Sequence, residues 1–246
     1  MVQQAARRRH SYRASEKLAG RRALITGGDS ALGGAVAELF AREGAAVCIA
    51  CSPDDVAAAE ETRDAIESLG YAEARGDAKR RGGPIERAAG RPCLIAPGDL
   101  EDPAFCRELV MIAVDELGGL DIVVANAPSP VRSPGDRLTA NGLEHTFRAS
   151  LFAYVHLAQA AIPHLSIGSS IIAIAPAAPE LPDYAACAAA IDEYTKVLAH
   201  QLADRGIRVN AIAAHADREE AAPACLFLAS PADSSDITGI VLPIGT

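Results

Sequence analysis

The sequence predicts a single α/β domain: a doubly wound parallel sheet in three α/β/α layers. Three observations point to it. Short apolar runs alternate with helix-length stretches along nearly the whole chain, the pattern of successive strand–helix units. The first apolar run empties into the glycine turn Thr26-Gly27-Gly28-Asp29-Ser30, which opens directly into a helical stretch. At 246 residues, half of them hydrophobic, the chain fits one such domain.

Taken in order, residues 1–19 read as an N-terminal extension and 20–246 as the domain. The basic cluster Arg7-Arg8-Arg9-His10 lies in a tail that looks unpacked and solvated. Strands are expected at 22–26, 46–51, 92–96, 121–125, 169–174, 207–213 and 239–243. Each is a short apolar run, as in strands covered on both faces. Helices are expected at 32–43, 54–69, 103–118, 143–165, 183–204 and 218–229. Right-handed crossovers then place the strand C-terminal ends along one edge, where ligands bind. Two regions break the rhythm. Residues 71–91, rich in Gly, Arg and Ala, are too long for an ordinary connection. They are expected to form a flexible surface insertion carrying Arg75, Lys79, Arg80, Arg81, Arg87 and Arg91, either a plain loop or a clamp for an anionic group. Residues 213–218 run from a strand almost straight into the last helix, a shortened loop containing His215.

A net charge of −9 leaves no broad basic surface for phosphates, so nucleic acid is not expected as a partner. No apolar run reaches transmembrane length, and the polar, arginine-rich start is unlike a signal peptide. Six cysteines stand at 48, 51, 93, 106, 187 and 225. Cys48 and Cys51 have C-x-x-C spacing, but on a strand they face opposite ways. Reduced thiols in a cytoplasmic protein are expected, with no metal site and no membrane.

The glycine turn has a physical use: glycines admit a pyrophosphate close to the backbone, and the helix N-terminus offers N–H groups and positive potential. Further along come Gly98-Asp99-Leu100 after the third strand, Ala125-Asn126-Ala127 after the fourth and Arg208-Val209-Asn210-Ala211 in the sixth. With these motifs, from about Ser11 to Gly245, the chain resembles the short-chain dehydrogenase/reductase family. The stretch from Ser11-Tyr12-Arg13 to Ser30 is similar to one bacterial branch with an N-terminal extension. The resemblance implies a Rossmann fold and an NAD(P)(H) site at Gly27, Asp29, Ser30, Leu32, Gly33, Ser52, Asp99, Leu100, Asn126 and Ala127, with Asp99 bonded to adenine. The chain departs from the family pattern at several of these positions. Ala31 occupies the middle glycine of the turn, and Pro128 follows Asn126-Ala127 where a glycine is usual. Cys51-Ser52 stands where an acid would select NAD or an arginine NADP. NAD(P)(H) binding is therefore expected to be weakened or lost, with the choice between the two open.

The family's catalytic tetrad is reduced further. Tyr184 matches the tyrosine acid/base, but Ala188 takes the lysine position, Pro176 falls in the serine segment and Ser150 replaces the asparagine. A cation about 4 Å from the phenol is worth on the order of 4 kcal/mol at an effective dielectric of 20. Without it, a phenol of reference pKa about 10 has little reason to ionise near neutrality. Lys196 lies roughly 18 Å from Tyr184 along the helix axis. Cys187 is the one new nucleophile candidate; its alternative is a small buried hydrophobe. His145, His156, His164, His215, Glu180 and Asp183 read as interface, surface or loop positions. Two functional classes fit. One is a repurposed ligand-binding or biosynthetic protein with a small molecule in the old cleft, acting by cyclisation, dehydration or isomerisation. The other is a non-catalytic subunit of an active relative; an atypical NAD(P)-dependent oxidoreductase acting on a carbonyl or alcohol stands behind both. By resemblance, helices 143–165 and 183–204 and strand 239–243 form the interfaces of a dimer or tetramer, homo-oligomeric or mixed with an active relative.

Overall fold

The structure, a computed structural model, describes residues 12, 14–81, 93–126, 138–176, 178, 180–214 and 219–244, with backbone alone over 70–81. Seven strands form one sheet: β1 Arg22–Thr26, β2 Ala46–Cys51, β3 Cys93–Pro97, β4 Ile122–Asn126, β5 Ser170–Pro176, β6 Arg208–Ala214 and β7 Val241–Pro243. Their order is β3-β2-β1-β4-β5-β6-β7, and every neighbouring pair is parallel. The chain reverses its direction of growth between β1 and β4, so a crevice opens there, outside the strand C-termini. The helices are α1 Ala31–Arg42, α2 Val56–Arg81, α3 Pro103–Leu117, α4 Ala140–Thr146, α5 Ala153–Ala161, α6 Pro182–Leu202, α7 Ala222–Ala229 and α8 Pro231–Ser234.

Side-chain alternation sorts the strands into two cores. On β2, Val47, Ile49 and Cys51 join the core under α1 and α7, while Cys48 and Ala50 join the core under α3, α5 and α6. Cys48 and Cys51 are thus separated by the sheet, and all six cysteines are buried free thiols. Helix α1 forms because Ser30 caps it and Leu32, Val36, Ala37 and Phe40 recur on its buried face. Among the described residues, no helix is long and apolar enough to cross a membrane.

Three expectations need correction. The helix expected at 54–69 continues to Arg81, so the first half of the 71–91 insertion is helical; residues 82–92, with Arg87 and Arg91, lie outside the described residues. The Gly, Arg and Ala content of this stretch predicts a loop, yet α2 runs through Gly70 and Gly76, because a glycine weakens a helix by only about 1 kcal/mol. The long helix expected at 143–165 is an unbroken helical run from Ala140 to His164, but it is built of α4, a π-helical segment Phe147–Phe152, α5 and a 3₁₀ turn Ile162–His164. A π turn closes on the fifth residue rather than the fourth, which resets the helix face. The last strand is Val241–Pro243, shorter than 239–243; Gly239 has φ +77° and turns the chain into it.

The start of the chain is tied down more than its composition suggests. Glu43, at the C-cap of α1, is fully buried. Its carboxylate accepts from the hydroxyl of Tyr12 and from the backbone N–H groups of Ser15 (3.1 Å) and Lys17 (2.9 Å). Leu18 is fully buried in the adjoining core, and Lys17 pairs with Asp233 at 2.7 Å. The cluster Arg7-Arg8-Arg9-His10 lies outside the described residues.

Candidate functional site

At the head of the crevice, the glycine turn is locked to β4 by side chains. Thr26 Oγ1 accepts from the Asn126 N–H at 2.9 Å, and Asn126 Nδ2 donates to Ser30 Oγ at 3.1 Å. Ser30 Oγ in turn donates to the Gly27 carbonyl and accepts from the Gly33 N–H. From α2, Thr62 donates to the Gly28 carbonyl at 2.9 Å. Gly27 has φ +65°, and a Cβ on it would lie 2.6 Å from Asn126 Nδ2. The first intrahelical bond runs from the Gly34 N–H to the Ser30 carbonyl. The N–H groups of Ala31 and Leu32 precede it and belong to the unsatisfied first turn that binds anions. Ala31 is exposed at the first helical position, so its methyl borders the approach to those groups and displaces no protein atom. Among the described residues, the buried acceptor Asn126 Oδ1, on a residue 7% exposed, has no hydrogen-bond partner.

Beyond β2, the chemistry turns acidic. Ser52 is exposed and caps the 3₁₀ turn Pro53–Asp55, its Oγ accepting from the Asp54 N–H. Asp29 is half-buried, and burial raises its carboxyl above the ordinary range, with the charge of Asp55 adding to the rise. The Cys51 thiol is pushed up to about 11 by burial first, then by Asp29 and Asp55. Asp99 is exposed and accepts from the Glu101 N–H at 2.8 Å, leading the chain toward α3.

The tetrad positions lie on three elements, α6, β5 and the π segment, the last two of which pack against α6. Tyr184 is buried in its first turn, and Ala188 is half-buried one turn on. Pro176 is the buried last residue of β5, while Ser150 is buried in the π segment. Thr146 donates to Asp183 at 2.7 Å and so pins the start of α6 to the end of α4. Below the ends of β1, β4 and β5 lies a small pocket, lined in part by Thr26, Leu100, Asn126, Ser150, Tyr154 and Ile191.

The alternative groups disperse. Cys187 is fully buried in the core, where burial raises its thiol despite the pull of the Leu151 backbone and the Ser150 hydroxyl. It does not face the cleft, and so it is no nucleophile. Lys196 pairs with Asp192 at 2.8 Å on the far part of α6. His145 sits on the surface 3.3 Å from Glu101, and His164 is exposed in a 3₁₀ turn. Ser170 donates to the Leu228 carbonyl at the opposite end of β5 from the cleft. Arg208 and Asn210 are structural: Arg208 donates to the carbonyls of Leu228 and Ala229 and to Ser234, and Asn210 bonds both Ile237 and Ile240. Ala127, Pro128 and His215 lie outside the described residues. Among the described residues, no group of His, Cys, Asp or Glu is placed to hold a metal ion. Sequence reasoning did not single out Thr62, Asp55 or Glu43. Each acts on a residue far from it in the chain, and no local pattern announces that.

With this geometry in place, comparison with known proteins is specific. The family model described as short chain dehydrogenase matches residues 21–216. The uncharacterized oxidoreductase YhxD of Bacillus subtilis is 40% identical over 210 residues, covering 82% of this chain and 63% of that protein. The chloroplastic NADPH-dependent aldehyde reductase 1 of Arabidopsis thaliana is 34% identical over 208 residues, covering 82% and 67%. A short chain dehydrogenase from Burkholderia cenocepacia, solved in complex with NADP, superimposes with a TM-score of 0.73 at 28% identity, covering 93% of this chain and 97% of the other. The chain spans just under two thirds of the length of the first curated relatives it matches.

Proposed function

The chain belongs to the short-chain dehydrogenase family, and from that premise we propose that it holds a nicotinamide dinucleotide without the usual tyrosine–lysine hydride chemistry. The residues present fit such a group. Gly27 and Gly33 leave no room for a side chain in the turn, the N–H groups of Ala31 and Leu32 stand in the first turn of α1 where a helix offers N–H groups to an anion, and the buried Asn126 Oδ1 has no donor among the described residues. The relative named as NADPH-dependent and the neighbour solved with NADP support the same reading. Bound there, the dinucleotide would supply a hydride donor or acceptor.

The observation that carries the loss of standard chemistry is Ala188. A methyl stands one helical turn after Tyr184, where a cation would stabilise phenolate by on the order of 4 kcal/mol. A neutral phenol still donates a proton at Oη, but it accepts one poorly. Proton donation suits dehydration, isomerisation or cyclisation of a small molecule in the cleft, the role proposed here. Calorimetry with NADH and NADPH, alongside NAD(P)H oxidation with a panel of aldehydes and ketones, tests this. The expected result is dinucleotide binding, negligible carbonyl reduction by the natural chain, and a rise of tenfold or more in Ala188→Lys. Carbonyl turnover by the natural chain within the common range of about 1–10³ s⁻¹ would refute the proposed loss.

A second reading is favoured by exposed apolar residues. Leu143 on α4, Phe152 at the end of the π segment and Val197 on α6 are 38%, 43% and 48% exposed. Such side chains suit a helical interface with a second copy or with an active relative. A protein that is catalytically silent and co-purifies with an intact Tyr-x-x-x-Lys relative would favour this subunit role.

A further inference from the structure

Thr26, Asn126, Ser150 and Tyr154 are the polar residues in the otherwise apolar lining of the small pocket below the ends of β1, β4 and β5. Two of them are already engaged. Thr26 Oγ1 accepts from the Asn126 N–H and donates to the Asn126 carbonyl at 3.3 Å, and Tyr154 Oη meets Thr195 Oγ1 at 3.2 Å. The other two are not. Asn126 Oδ1 and Ser150 Oγ are buried, on residues 7% and 3% exposed, and neither has a hydrogen-bond partner among the described residues. They come from separate elements: Asn126 closes β4, and Ser150 lies in the π segment. A buried polar atom left unpaired is costly, and two such atoms on residues lining one pocket call for a shared partner.

We propose that this pocket is a binding site for one buried water, which bridges Asn126 Oδ1 and Ser150 Oγ. Hydrogen-bond chemistry selects the ligand. An amide oxygen only accepts, whereas a serine hydroxyl both donates and accepts. The bridge must donate to Asn126 and can do either toward Ser150, which water satisfies. A cation would carry charge against walls of alanine, leucine and isoleucine, at a heavy desolvation cost, and the pocket is too small for a larger organic molecule. Tyr184, Ala188 and Pro176 are not among the described residues that line the pocket, so the water serves structure and not proton transfer to the phenol. Asn126 Nδ2 already donates to Ser30 Oγ, which bonds Gly27. The water continues that chain into the π segment, which packs against α6. It thereby joins the glycine turn to the helix that carries Tyr184. An amide oxygen accepts two hydrogen bonds, so one position on Asn126 Oδ1 is left for a ligand donor, and the water site stands whether or not a dinucleotide binds.

High-resolution crystallography of the full chain, beside thermal melting of two variants, tests this. One ordered water is expected within about 3.2 Å of both atoms in the natural chain. Ser150→Ala removes one of its two partners, and it is expected to lose the water and to melt about 2–4 °C lower. Ser150→Asn brings a longer side chain with an N–H donor of its own, and it is expected to expel the water and to melt above Ser150→Ala. A water that stays in either variant, or a Ser150→Ala chain that melts as the natural one does, would overturn the bridge. So would a protein group found donating to Asn126 Oδ1 in the water's place, or a dry pocket in the natural chain. Should Ser150→Ala fail to fold, the natural chain and Ser150→Asn still decide.

Discussion

Gly33 shows how closely the cleft is built around single atoms. A methyl on it would lie 1.9 Å from the Gly27 carbonyl oxygen, and backbone cannot yield there without opening the turn. Gly33→Ala is expected to cost about 1–3 kcal/mol of stability and to abolish dinucleotide binding, as read by urea unfolding and calorimetry. Ala31 is the converse case. Being exposed at the start of α1, it is replaceable by glycine at a stability cost of roughly 0.5–1 kcal/mol, and Ala31→Gly is expected to tighten dinucleotide binding. Unchanged affinity would show that the methyl never obstructed the phosphates. At the N-terminal ends of the central strands β1 and β4, Asp121 is buried and accepts from Arg22 Nε at 2.7 Å and from the Arg22 N–H at 3.0 Å. Burial pushes its carboxyl up, but the Arg22 guanidinium and backbone outweigh this and hold it below its ordinary 3.8. A depressed folded-state pKa contributes stability that is present above about pH 4 and lost as pH falls through the folded value. Asp121→Asn is therefore expected to lose about 1.5–3 kcal/mol at neutral pH, and less in strong acid, where the natural carboxylate is itself protonated. Denaturant unfolding at both pH values reads the difference.

Among the elements, the segment from Tyr12 to Leu18 behaves as part of the domain because a buried carboxylate needs donors. Glu43 takes three from that segment: one hydroxyl and two backbone N–H groups. Glu43→Gln keeps the shape but removes the charge from those bonds, and Glu43→Ala removes them altogether. Losses of about 1 and about 3 kcal/mol are expected, together with faster proteolysis near Ser15 in the alanine variant. Equal stability in both would mean that the segment is held by Leu18 alone. The helical elements show where periodicity fails as a guide. The 3.6-residue pattern at 143–165 correctly marked helix, but alanine-rich sequence gives the π segment no distinct signature. The turn forms where Thr146 is held by Asp183 and Ser150 is buried between helices, contacts made across 37 residues of chain. Glycine and arginine content likewise suggested a loop from 71, whereas α2 extends to Arg81.

For the molecule as a whole, the exposed apolar side chains on α4, the π segment and α6 lead to a prediction about assembly. Sedimentation is expected to show a dimer or larger species, and Phe152→Glu with Val197→Glu is expected to yield monomer with the helix content unchanged; a natural chain that sediments as a monomer would remove the subunit reading. The seven strands, the parallel sheet and the glycine turn were legible in the sequence because they rest on local signals: apolar runs, helix-length spacers and glycines at a strand end. The positions of Tyr184 and Ala188 were legible for the same reason, since one helix carries both. Thr62 against Gly28, Glu43 under Tyr12, Cys187 sealed in the core and the paired influence of Asp29 and Asp55 on Cys51 were decided by tertiary structure alone. Those depend on which distant residues the sheet order brings together and on how much water is left beside them, and neither burial nor charge proximity is a property of neighbouring letters in a chain.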